Sequence, residues 1–140
     1  MPFVSLRSTL STWLMIVPLA LLVVPLATAA PAPSLLGTFG GTYMLTGQTT
    51  AETFEMEVER QHGRRLRVSI FATDQPEFQG RAKLMRDNVT LTLHTRATGR
   101  GAARLSGTGA VGDGGATISG TFLIHQRGVA DRAGTFSVVR

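Results

Sequence analysis

Hydrophobic and polar residues alternate in short runs along most of the chain after residue 37. In the clearest run, Phe54, Met56 and Val58 alternate with three glutamates. Alternation of this kind predicts a β-strand with one face buried and the other in water. Eight such runs are separated by turn residues, and the predicted strands are about 38–47, 53–60, 66–70, 78–84, 89–93, 105–111, 118–124 and 136–138.

The dipeptide Gly-Thr recurs near the C-terminus at positions 107, 120 and 134. Its steps of 13 and 14 residues have the length of one strand plus one turn. The pattern therefore predicts an all-β fold, an eight-stranded antiparallel up-and-down meander. A barrel is favoured over a sandwich, because eight strands can close without leaving an exposed edge.

The positions of the turns follow from matching the apolar faces of neighbouring strands. For the second and third strands, the match predicts a three-residue loop at 61–63, with Gly63 in the left-handed conformation. The same register places Glu59 opposite Arg65 and Glu57 opposite Arg67. We expect the glutamates of this strand to form a solvated, charge-paired face.

Two further hairpins are predicted in the same way. Residues 87–88 form a two-residue turn, since Asp and Asn tolerate positive φ. In the hairpin of the sixth and seventh strands, Gly107 faces Gly120. Inward-facing glycines allow strong coiling of a barrel strand or leave room for a small ligand, and curvature is the favoured interpretation.

The N-terminal segment has the features of an export signal. A charged start, an apolar stretch and Ala-Thr-Ala at 27–29 predict a signal peptide over residues 1–29. A Pro-rich, mobile spacer at 30–36 and a single β-barrel domain at 37–140 follow. The protein is thus expected to be secreted or periplasmic. The alternative is an uncleaved membrane anchor, because residues 8–30 carry no charge.

Composition limits the chemistry that the chain can perform. Cysteine is absent, which excludes disulfides and thiol nucleophiles. Without residues 1–29 the chain has 13 Lys+Arg against 9 Asp+Glu, which gives a net charge of +4. The cations are spread along the chain and there is only one tyrosine for base stacking, so no nucleic-acid partner is expected. The candidate residues for an anion-binding surface are Arg64, Arg65, Arg67, Arg81 and Lys83.

Few residues are candidates for catalysis. His125 and Asp131 flank one loop and could touch, while Ser119 and Ser137 lie on neighbouring outer faces. No Gly-x-Ser-x-Gly motif accompanies them. No His or carboxylate spacing indicates a metal site, and no motif indicates a cofactor. We therefore expect a protein that is not an enzyme.

The predicted inner face carries no charge, and Tyr43 is its one polar group. A cavity inside such a barrel would suit a small apolar molecule. Tyr43, Phe54 and Phe122 are the candidate ligand-binding residues.

Gly41-Thr42-Tyr43 on the first strand, eight short meandering strands and a terminal Arg140 resemble small calycin-type (lipocalin- or avidin-like) barrels. That group carries Gly-x-Trp on its first strand, packed against a late arginine. Here Tyr43 stands at the tryptophan position. The resemblance implies binding of a ligand or partner.

Three functions follow as hypotheses. The first is non-enzymatic binding of a small apolar ligand or a cell-envelope partner by an exported barrel. The second is a surface module that binds anionic polymers or lipids through its arginine-rich face. The third, least favoured, is a hydrolase-type enzyme with its site at the loop between His125 and Asp131.

Overall fold

A computed structural model describes residues 31–140, which form one closed β-barrel. Each strand pairs antiparallel with the next, and the last pairs with the first. The strands are β1 Gly37–Leu45, β2 Glu52–His62, β3 Arg65–Ala72, β4 Phe78–Met85, β5 Asn88–Thr95, β6 Ala103–Gly112, β7 Thr117–Gln126 and β8 Arg132–Val139. The predicted all-β, eight-stranded barrel is confirmed. The predicted signal peptide lies outside the described residues.

Helical structure within residues 31–140 is limited to two short 3-10 turns, Gly99–Gly101 and Asp113–Gly115. No helix in this part of the chain is long and apolar enough to cross a bilayer.

Alternating side chains of all eight strands point into the barrel and make a single core. This is the periodicity that the sequence shows, because successive residues of a strand point to opposite faces of the sheet. Its fully buried residues include Phe39, Leu84, Leu93 and Val138. The inward positions therefore follow directly from the sequence pattern.

The β2–β3 hairpin differs from the predicted one. Val58 pairs with Val68, Arg60 pairs with Arg67, and Glu59 is an additional residue on β2, which makes a β-bulge. The strand continues to His62, so the loop is the two residues 63–64 rather than three. Gly63 has a φ of 60°, as its predicted left-handed conformation requires.

The predicted charge pairs of this hairpin are wrong because of the bulge. Glu57 faces Ser69 rather than Arg67. Glu59 does not face Arg65 either; its carboxylate lies 3.4 Å from the Arg67 guanidinium and accepts a hydrogen bond of 2.7 Å from Ser69 Oγ. The residues from 59 to 62 are all polar, so the sequence carries no alternation that could reveal the bulge.

Two other predicted registers are offset by two residues. Met85 pairs with Asn88, so the turn is at 86–87 rather than 87–88. Gly120 faces Gly109 rather than Gly107. In both cases the predicted inward faces are right, because a slip of two residues leaves every side chain on its own face.

Gly120 lies where β7 and β6 approach closely. A Cβ atom at this position would lie 1.9 Å from the Thr108 carbonyl oxygen, on the neighbouring strand. The missing side chain at Gly120 therefore makes room for the backbone of the neighbouring strand and not for a ligand. This agrees with the interpretation that the inward glycines allow strong coiling.

One end of the barrel, the closed end, has the short turns at 63–64, 86–87 and 113–116 and is covered by residues 31–36. Leu35 is 0% exposed and belongs to the core. Its backbone N–H donates to Gln61 Oε1 at 2.6 Å, and Gln61 Nε2 donates to the Pro33 carbonyl at 2.9 Å. The segment predicted to be a mobile spacer thus packs across this end.

Arg140 completes the closed end. Its guanidinium carbon lies 5.0 Å from the centre of the Phe39 ring, and its guanidinium donates to the Ser34 carbonyl at 2.9 Å. The aromatic residue of β1 that packs against the late arginine is therefore Phe39, in Gly37-Thr38-Phe39, and not Tyr43. Tyr43 lies six residues from Gly37, near the other end of the strand.

Candidate functional site: the cavity at the open end

The opposite end of the barrel, the open end, has the longer loops 46–51, 73–77, 96–102 and 127–131. A cavity of about 210 Å³ lies inside this end and opens toward solvent. Its apolar walls come from strands around the whole barrel and include Phe54, Met56, Ile70, Phe78, Leu91, Leu105, Phe122, Ile124 and Phe136. The barrel is thus filled at one end and hollow at the other.

Aromatic rings form the wall of the cavity on the β1, β2, β7 and β8 side. Tyr43 packs edge-to-face on Phe54 and Phe122, with ring centres 5.8 and 6.1 Å apart. Phe54 packs in the same way on Phe136 at 6.3 Å. These geometries are favourable for aromatic pairs. The structure therefore brings together Tyr43, Phe54 and Phe122, the three residues predicted from the sequence to bind a ligand.

Charged and polar side chains line the mouth of the cavity. Glu52 accepts a hydrogen bond from the Tyr43 hydroxyl, its cross-strand neighbour. Arg132 is half-buried close to the same tyrosine. The expectation that the inner face carries no charge is thus wrong at its outermost positions. The alternation of the sequence could have revealed both residues. Glu52 lies two residues from Phe54 and Arg132 lies four residues from Phe136, so each shares the inward face of its strand.

This environment raises the pKa of Tyr43 from 10.0 to about 12. Burial is the largest cause, followed by the hydrogen bond to Glu52 and the negative charge of that carboxylate, and Arg132 opposes them. The neutral phenol is therefore favoured in the folded protein. Its contribution to stability is complete below pH 10 and is lost as the pH rises through about 12.

A spectroscopic titration can follow this group alone, because Tyr43 is the only tyrosine in the chain. We expect the tyrosinate absorbance of the folded protein to appear with a midpoint of about 12. In Glu52→Gln the midpoint should move toward 10.0, since the negative charge is gone. Glu55→Gln, on the exposed face of the same strand, is the matched control and should leave the midpoint unchanged. Equal shifts in both variants would contradict the assignment.

The proposed Ser/His/Asp arrangement is brought together only in part. His125 Nδ1 lies 2.7 Å from Asp131 Oδ1, and both side chains are exposed on the outside of the open end. Ser119 and Ser137 pair with each other as predicted neighbours. However, Ser119 lies six residues from His125 along β7, about 20 Å at the rise of a β-strand. These serines therefore cannot act with His125 as nucleophiles.

The five cations predicted to bind anions lie close together on the outer surface of the barrel. Arg65 pairs with Lys83, and Arg67 pairs with Arg81, across the β3–β4 ladder. Arg64 lies in the turn that precedes β3. The sequence disperses these residues over 20 positions, and the antiparallel pairing gathers them.

No protein-family model matches the sequence, and no curated protein matches it significantly. The barrel is similar to solved structures. A redesigned β-barrel, b11L5F_LGL, has a TM-score of 0.62 at 13% identity, covering 76% of this chain and 90% of that one. EF1p2_mFAP2b bound to DFHBI has a TM-score of 0.58 at 11% identity, covering 76% and 93%. At these identities the likeness shows the fold alone, and the chain is a closed β-barrel of the same kind.

Proposed function

We propose that this chain is an exported, non-enzymatic protein that binds a small, largely apolar ligand in the cavity at the open end. The observation that carries the proposal is the cavity of about 210 Å³, walled by aromatic and aliphatic side chains. Pockets that combine an apolar wall with a few polar groups are typical of ligand-binding sites. Export is proposed from the sequence of residues 1–29, with its Ala-Thr-Ala at 27–29.

The volume of the cavity limits the size of the ligand. An apolar cavity of about 150 Å³ accommodates benzene in another protein. A volume of about 210 Å³ therefore suits a somewhat larger molecule, such as a bicyclic ring or a short branched chain. Shape and apolar contact with Phe54, Phe122 and Phe136 would select it.

The mouth determines which polar group the ligand carries. The Tyr43 hydroxyl is already bonded to Glu52. Arg132 forms no ion pair within the described residues, whose salt bridges are Arg67–Glu59 and His125–Asp131. The Arg132 guanidinium can thus donate to an acceptor on the ligand. We infer an amphipathic ligand with its apolar body inside and a hydrogen-bond acceptor at the mouth.

Two resemblances support this function by analogy. The barrel is similar to EF1p2_mFAP2b, which was solved bound to DFHBI. The second is the resemblance of the sequence to calycin-type barrels, which implies ligand or partner binding. An envelope component is the alternative occupant of the same cavity.

Binding can be tested with 2-naphthol, an apolar bicycle with one polar group, by fluorescence titration. Ile124→Phe places additional side-chain volume in the cavity and should weaken binding by about five-fold or more, because one lost methylene-sized contact already costs about 1 kcal/mol. Leu123→Phe, the neighbouring outward residue, is the matched control and should bind like the wild type. Native mass spectrometry of protein purified from its own host would then show whether a small molecule accompanies it.

Equal affinities of Ile124→Phe and the wild type would place the probe outside the cavity and contradict the proposal. Absence of 2-naphthol binding together with a bare polypeptide mass from the native host would also contradict it. A weakened titration in both variants would indicate a disturbed fold, and thermal unfolding of each variant distinguishes this outcome.

A further inference from the structure

Seven exposed cations lie on the outer surface of β2, β3, β4 and the turns at 63–64 and 86–87, mostly toward the closed end. We call this surface the basic face, and its residues are Arg60, Arg64, Arg65, Arg67, Arg81, Lys83 and Arg86. Two cross-strand rows organise it, Arg60–Arg67–Arg81 and His62–Arg65–Lys83. Neighbouring side chains in such rows are about 5 Å apart at Cβ.

The rows place like charges directly opposite one another. Arg65 faces Lys83, and Arg67 faces both Arg60 and Arg81. Like charges in directly facing positions destabilise a sheet. An arrangement that costs stability at successive positions indicates a surface suited to a partner of opposite charge.

The bulge at Glu59 extends the basic face onto β2. Before the bulge, the outward residues of this strand are glutamates such as Glu55 and Glu57. The additional residue reverses the phase, so that Arg60 and His62 point outward and Gln61 turns toward the segment that covers the closed end. Without the bulge, Arg60 would point into the barrel.

Carboxylates neutralise little of this charge. Among residues 31–140, Glu59 makes the one ion pair with a cation of the face, at 3.4 Å from Arg67. Asp87 lies next to Arg86 in the turn. Seven cations against these two carboxylates leave a net charge of +5 on the face, whereas residues 30–140 as a whole carry +4, from 13 Lys+Arg against 9 Asp+Glu. The positive charge of the protein is thus concentrated on one side.

An apolar side chain projects from the same face. Met85 is 57% exposed, between Lys83 and Arg86. Leu36 and Val139, also exposed, lie at the same end of the barrel.

We propose that the basic face binds the surface of an anionic phospholipid bilayer. Cations near a membrane attract its anionic headgroups, and exposed apolar side chains at the edge insert between them. A soluble polyanion would use the cations but has no apolar layer for Met85. In this orientation the open end points away from the bilayer, so the cavity stays accessible to its ligand.

The test uses the full chain and vesicles of phosphatidylcholine alone or with about 30% phosphatidylglycerol. It measures partitioning at low and high salt, because salt screens exposed charges. The measured quantity is the ratio of the partition coefficient for anionic vesicles to that for neutral vesicles. Any binding through the N-terminal apolar stretch contributes to both partition coefficients and therefore affects the ratio little. Arg65→Gln with Lys83→Gln should reduce this preference by roughly 30-fold, since each cation near the surface contributes about 1 kcal/mol. The fold should persist, because the substitutions remove a repulsive pair.

Arg104→Gln with Arg127→Gln is the matched control, since it removes the same charge from exposed positions near the open end. The preference of this control variant for anionic vesicles should stay within about two-fold of the wild-type preference. A separate variant, Met85→Ser, tests the apolar contact. It should bind vesicles more weakly but bind dextran sulfate as the wild type does. Equal losses in the two double variants would show a net-charge effect and overturn the proposal. Tight binding to dextran sulfate without a preference for anionic vesicles would overturn it in favour of a soluble polyanion.

Discussion

Gly120→Ala is expected to lower the free energy of unfolding by about 3 kcal/mol, the upper part of the range for overpacking a well-packed interior. The new Cβ atom would lie 1.9 Å from the Thr108 carbonyl oxygen and 2.6 Å from the Gly109 Cα atom. Both atoms belong to the backbone of β6, so no side-chain rotation can relieve the contact. The two strands would have to separate, and their ladder of hydrogen bonds would weaken.

Gly40→Ala is the matched control for this experiment. Gly40 is an exposed residue of β1, and a Cβ atom there meets nothing within 4 Å. Its substitution should change stability by about 0.5 kcal/mol or less, as is usual for surface positions. Urea unfolding of the two variants gives the comparison directly. Similar free energies for both would mean that β6 and β7 do not approach as closely as the structure shows.

Leu35→Ala is expected to destabilise the barrel by about 3 kcal/mol, a typical cost for truncating a fully buried leucine. Leu35 is 0% exposed, and it lies in a segment that the alternation of the sequence did not include in the barrel. Its side chain closes the core at the end where the turns are shortest. Removing it would leave a cavity beneath residues 31–36 and expose apolar side chains of the closed end.

Leu36→Ala provides the control, because the adjacent leucine is 46% exposed. Thermal and urea unfolding of the two variants should differ by about 2 kcal/mol or more, with the larger loss in Leu35→Ala. If the two substitutions lower the free energy of unfolding equally, residues 31–36 do not close the barrel. A large loss in Leu36→Ala alone would reverse their assigned orientations.

The alternation of apolar residues was sufficient to predict the fold class and the inward side of every strand, except beyond the bulge on β2, where Arg60 points outward. Phe54, Met56 and Val58 are all buried, as the period of two requires. The count of eight strands then favoured closure, and β1 pairs with β8. These features are local or depend on strand number, so they can be deduced from a single sequence.

The exact registers could not be deduced in this way. Pairing that is shifted by two residues keeps the same side chains inside, so alternation cannot distinguish Gly107 from Gly109 as the partner of Gly120. The bulge at Glu59 lies in a polar stretch, where the pattern is silent. Register depends on how the whole closed barrel fits together, and this is a property of all eight strands at once.

The sequence predicted residues in the wall of the cavity but not the charged residues at its mouth. Tyr43, Phe54 and Phe122 follow from parity and residue type, and the structure places them around one cavity. Glu52 and Arg132 lie at strand ends, where a charged residue at an inward position can reach solvent. The sequence pattern alone does not show which strand ends surround an opening and which are covered.

The sequence by itself determined an all-β chain, its eight strands, their buried faces and the absence of cysteine chemistry. Only the tertiary structure decided that Leu35 closes one end, that Phe39 rather than Tyr43 lies against Arg140, and that the other end is hollow. It also decided that arginines dispersed along the chain meet on one face. The reason is physical: a strand's periodicity records which side is buried, whereas cavities and charged surfaces arise from contacts between residues far apart in the sequence.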